Sequence, residues 1–172
     1  MATHLAKVIK SMMKLRKIHS LLLKLRFVIF GVSLICWHTS FADALVPLDI
    51  WLKDNPKFLS NVGETYYFTN RCSALSLVLS NVGDQLPQDR EVKKMTNQFY
   101  EMALTYHRAS EVLSKLKLSD DEKKFVEIYN LTVTQNWKKT GDVFKEPIGD
   151  DLELCRTHLP YFKKFVISFP KN

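Results

Sequence analysis

Residues 92–116, VKKMTNQFYEMALTYHRASEVLSKL, decide the fold. Val92, Met95, Phe99, Met102, Tyr106, Ala109, Leu113 and Leu116 follow one another at steps of three and four through more than three heptads. A helix turning every 3.6 residues gathers such a run on one face, and an apolar face of this length is a packing seam. A free coiled coil would need heptads continuing without neighbours. The flanking segments carry helical faces of their own, so the seam packs inside a bundle.

Upstream, Phe68, Cys72, Leu75, Leu79 and Val82 share one face of a helix expected from Ser60 to Val82, which Gly83-Asp84 ends. Residues 47–58 read as a short helix with Asp49 as cap and Pro56 as stop. Downstream, Ser119-Asp120-Asp121-Glu122 is a capping box in which the serine hydroxyl and the glutamate carboxylate each satisfy helix-terminal N–H groups. Phe125, Ile128, Tyr129 and Thr132 continue one face of that helix up to Gly141. Asp150 or Asp151 caps a last helix with Leu152, Cys155 and Leu159 inward. Pro160 lacks a backbone donor and predicts a kink there. The expected architecture is all-α: a compact bundle of about four main helices, a short N-terminal helix and one disulfide.

The first 42 residues have a different character. They contain seven Lys or Arg, no acid, and an apolar run from Phe27 to Trp37. A basic region, an apolar stretch of roughly 7–15 residues and a small-residue cleavage site make an export signal. Ser40-Phe41-Ala42 and Ala42-Asp43-Ala44 both fit the site, so cleavage follows Ala42 or Ala44. Residues 1–42 are read as the leader and 43–172 as one exported domain, periplasmic or secreted. The basic region is long, and Met12 or Met13 would serve as a start as well as Met1. Residues 21–42 could instead persist as an anchor, although Lys24 and Arg26 leave fewer than the about 20 apolar residues of a spanning helix. Membrane contact is then expected only through an uncleaved leader.

Removing the leader changes the charge. The whole chain has 25 basic and 18 acidic side chains, and all seven surplus cations lie in the first 42 residues. The remaining 130 residues are formally neutral, which excludes the general basic footprint of a nucleic-acid-binding protein. Cys36 leaves with the leader, so Cys72 and Cys155 form the remaining pair. In an oxidising compartment such a pair reads as a disulfide.

Catalytic and metal-binding patterns are sparse. His107 and His158 are the only histidines after the leader, and neither has the partners of a zinc site at helical spacing. There is no nucleophile elbow and no glycine-rich phosphate loop. The acidic groups at 120–122 and 150–153 each open a helix, where carboxylates meet the positive end of the dipole. No catalytic residue, metal or cofactor is therefore expected. Tyr66, Tyr67, Trp51 and Trp137 are the candidates for a partner surface, because two adjacent tyrosines cannot both face one core and aromatics are enriched at interfaces.

These readings point to a small exported non-enzymatic protein that binds, inhibits or builds structure at the cell envelope, with an unknown protein or envelope component as partner. The alternatives are an envelope hydrolase or other enzyme combining acidic residues with His107 or His158, and a signal-anchored membrane protein.

Overall fold

The computed structural model describes residues 45–115 and 121–169. The expected leader with its cleavage sites, Leu116 of the seam, and Ser119 and Asp120 of the capping box lie outside these residues. Among the described residues five α-helices follow one another: α1 (Leu48–Asp54), α2 (Val62–Asp84), α3 (Arg90–Ser114), α4 (Glu122–Thr140) and α5 (Ile148–Ile167). A 3-10 turn, Phe58–Ser60, joins α1 to α2. The all-α bundle with four long helices, a short first helix and one disulfide is present.

Helix boundaries follow local chemistry. Asn61 caps α2 through its side-chain oxygen, which accepts from the N–H groups of Gly63 and Glu64. Asp89 caps α3 in the same way, accepting from Glu91 and Val92. Gly141, at φ 74°, closes α4 in the left-handed conformation that glycine adopts without a Cβ clash. Asp49 departs from expectation: it sits in the first turn of α1 behind Pro47 and pairs with Lys53 at 3.2 Å. Likewise α5 begins at Ile148, ahead of both aspartates, and continues through Pro160 to Ile167.

The seam of α3 is buried at Val92, Phe99, Met102, Tyr106, Ala109 and Leu113. Around it α2 packs against all three other long helices. Its burial therefore extends well beyond the face of Phe68, Cys72, Leu75 and Leu79. Thr69, Asn70, Ser73, Ser76 and Ser80 are also buried. Small hydroxyl side chains let neighbours approach closely, and they find acceptors locally: Ser76 donates to the Cys72 carbonyl at 2.7 Å and Thr69 to that of Tyr66 at 2.9 Å. Near the end of α2, Gly83 lies so close to α3 that a Cβ there would collide with Thr96 Oγ1.

Candidate functional site

Cys72 on α2 and Cys155 on α5 form a disulfide with their Cα atoms 5.5 Å apart, and both are fully buried. Beside it lies a charged cluster in the core. Arg71 Nη2 donates to Asp151 Oδ2 at 2.6 Å, and both side chains have zero exposure. Tyr129 Oη donates to the same carboxylate oxygen at 2.6 Å and accepts from Arg71 Nε and Nη2. Asp151 Oδ1 accepts from the Leu48 amide at 2.7 Å, and Arg71 Nη1 donates to the Val46 carbonyl and to Tyr67 Oη.

Burial works against the charge on Arg71, but Tyr129, Asp151 and Tyr67 more than offset it and its pKa is raised. Burial also pushes the Asp151 carboxyl up, opposed by the Arg71 charge and its hydrogen bonds. The Tyr129 hydroxyl is raised by the same loss of solvent. Perturbed titrations often mark functional sites. Here every polar atom of the Arg71–Asp151 contact faces protein, with no exposed edge for a substrate. The cluster ties α2, α4, α5 and the segment before α1 together, and its chemistry is structural. The aspartate expected to cap α5 is therefore a core ion-pair partner.

The two histidines have separate surroundings. His107 is half-exposed, with Nδ1 2.8 Å from Glu122 Oε2 and Nε2 3.6 Å from Glu111 Oε1. Ser73 Oγ donates to Glu122 Oε1, which puts the carboxylate between hydroxyl and imidazole. Ser73 is 1% exposed and donates to the carboxylate rather than to the imidazole, so the order is not that of a serine–histidine pair and the hydroxyl is closed to a substrate. His158 hydrogen-bonds the Leu154 carbonyl at 2.9 Å and lies edge-on to Phe58 and Phe68. Among the described residues no group of three or more His, Cys, Asp or Glu side chains is placed to hold a metal.

Of the four aromatic residues expected at a partner surface, Tyr66 is buried. Trp51 and Tyr67 are half-buried, with ring centroids 4.9 Å apart. Trp137, near the end of α4, is 37% exposed. The structure thus brings Trp51 and Tyr67 together, and the Tyr67 hydroxyl serves the Arg71 cluster.

A more open feature lies between α3 and α5. It is a groove of about 740 Å³ bordered by Arg90, Lys93 and Lys94 from one helix and Arg156 and Lys163 from the other. Asn97, Gln98 and Glu101 complete the α3 wall, over a floor that includes Phe99, Met102 and Leu159. Arg156 and Lys163 are seven apart and share a face of α5. Arg156 also lies over the Phe99 ring, its guanidinium carbon 5.5 Å from the centroid. None of the five cations is in an ion pair among the described residues. The volume falls in the roughly 300–1,000 Å³ range of ligand pockets.

In the sequence alone Lys163 reads as an ordinary solvated helix position and Lys93 as the i+4 partner of Asp89. Asp89 uses its carboxylate as the cap of α3 instead. The available signal was charge at three- and four-residue steps on α3, but it becomes a site only once α5 is known to lie alongside. No protein-family model, curated protein or solved structure matches this chain.

Proposed function

We propose that the protein is an exported, non-enzymatic binding protein of the cell envelope. One observation carries the reading: five cations without ion-pair partners among the described residues border an open groove, while the buried titratable groups hold the core together. A rigid helical frame presenting charge to solvent suits recognition, since fixed side chains lose less freedom on binding. The Cys72–Cys155 bridge supports export, because such bonds persist in oxidising compartments. No helix among the described residues is long and apolar enough to cross a membrane.

Expression of the full chain, followed by cell fractionation and intact-mass measurement, tests the export half. The expected product is found outside the cytoplasm, begins after Ala42 or Ala44, and is two hydrogens lighter than the dithiol. Cytosolic full-length protein with reduced Cys72 and Cys155 would overturn it, and envelope protein retaining residues 21–42 would establish the anchored form. A second reading, hydrolysis, draws on the contact of half-exposed His107 with Glu122 and Glu111. Turnover of an envelope substrate that disappears in a folded His107→Ala, His158→Ala variant would favour it over simple binding.

A further inference from the structure

We infer that the groove between α3 and α5 binds a linear acidic polysaccharide, a chain bearing carboxylates together with free hydroxyls. This deepens the binding-protein reading and rests on it.

Charge is the first argument. Residues 43–172 contain equal numbers of basic and acidic side chains, 18 of each. Five of those cations nevertheless gather around one groove, with Glu101 the only acid among the described residues of its walls. Segregated charge in a concave site concentrates an anion there more strongly than the same charges spread over the surface.

Length is the second. Arg90 to Lys94 covers about 6 Å of α3 at about 1.5 Å per residue, and Arg156 to Lys163 about 10 Å of α5. Cations spread along two facing helices match an extended ligand with repeated anionic groups better than a single small anion.

The floor and walls then separate the kinds of polyanion. Phe99 is 1% and Met102 4% exposed, so of the floor residues named above only half-buried Leu159 offers apolar contact. An amphipathic peptide helix needs apolar pockets for its anchoring side chains, and single-stranded nucleic acid needs exposed aromatic faces for its bases. Among the described lining residues a single leucine does not make a row of pockets, and the one ring, Phe99, is buried. Glu101 decides what remains. An ionised carboxylate only accepts hydrogen bonds, while the Asn97 and Gln98 amides both donate and accept. A polyphosphate presents acceptors alone and meets repulsion at Glu101. Sugar hydroxyls donate to Glu101 and to the amide oxygens, while the sugar's carboxylates meet the lysines and arginines.

The test uses the oxidised protein in calorimetric titration against polygalacturonate, with dextran, polyphosphate and duplex DNA in parallel. Polygalacturonate should bind best, weakening about tenfold or more from 50 to 200 mM salt as its counterions are no longer released at a gain. Lys94→Glu with Arg156→Glu should abolish binding. If that pair fails to fold, the milder Lys93→Gln with Lys163→Gln should weaken binding about tenfold in a protein that keeps its disulfide. Glu101→Ala separates hydroxyl recognition from charge alone: it should weaken polygalacturonate binding and strengthen that of polyphosphate. Tighter polygalacturonate binding by Glu101→Ala, or polyphosphate or DNA binding as tight as polygalacturonate in the unaltered protein, would overturn the inference. Silence toward every polyanion would overturn it too, while the fractionation result above would still decide the export reading on its own.

Discussion

Arg71 Nη2 stands 2.6 Å from Asp151 Oδ2, with no solvent reaching either side chain, although the two are 80 positions apart in the chain. One residue beyond Arg71, and one helical turn beyond Asp151, Cys72 is bonded to Cys155. Helices α2 and α5 are thus fixed to each other twice within a single turn, once by charge and once by covalent bond. A buried ion pair seldom adds net stability over an apolar pair, but removing one partner leaves the other charge stranded.

Arg71→Met should therefore lower stability by about 3–5 kcal/mol in urea unfolding. Adding Asp151→Leu should restore a good part of that loss, because both buried charges are then gone. A double variant as unstable as the two single losses added together would show that the residues do not act as a pair.

Replacing both cysteines by alanine tests the covalent half. The bridge closes a loop with a sequence separation of 83. Loop-entropy reasoning assigns that constraint about 4–5 kcal/mol. Since Cys155 precedes Arg156, the same variant should also bind polygalacturonate more weakly wherever it remains folded. Unchanged urea midpoints with and without reductant would contradict the assignment.

Close packing of α2 on α3 predicts a position-specific response at Gly83. A Cβ there meets Thr96 Oγ1, a buried hydroxyl with no hydrogen-bond partner among the described residues. Gly83→Ala should cost about 1–3 kcal/mol by overpacking. Thr96→Ala introduced with it should recover most of the loss by removing the colliding oxygen. Equal destabilisation in the single and double variants would place the strain elsewhere.

Alkaline pH provides the fourth test. Burial raises the Tyr106 hydroxyl well above its ordinary value, and Tyr106 donates to the Cys155 carbonyl inside the core. In the unfolded chain the phenol ionises near about pH 10. A folded pKa above the unfolded one means stability is fully present below about pH 10 and falls as pH rises beyond it. Urea midpoints between pH 8 and 11 should show that fall, and Tyr106→Phe should make it shallower. Tyr129 carries a shift of the same sign, so a residual slope is expected in the variant.

Much of this arrangement is legible from residue order. The seam of α3 repeats long enough that period alone identifies it, and two cysteines on inward helical faces point to their own bridge. Asp151 is harder, because an acid in the first turn of a helix has a sufficient local role at the dipole. Its partner becomes readable only through the bridge: once Cys72 meets Cys155, Arg71 and Asp151 must lie within a turn of each other. The groove escapes for a different reason. Net charge sums over the whole domain, so a neutral total conceals five cations on two helices that meet only in three dimensions. Burial on every side of α2 was hidden as well, since its serines and threonines look solvent-facing until their hydroxyls are seen bonded inside the bundle.

The guanidinium's hold on the Val46 carbonyl, and the carboxylate's on the Leu48 amide, have a practical consequence for handling the molecule. A version trimmed to begin at Asp49 forfeits both main-chain partners, leaving an arginine proton and an aspartate lone pair unsatisfied in the interior. Affinity handles and protease sites therefore belong ahead of Leu45, separated from it by a spacer, so that this short strap can still seat itself.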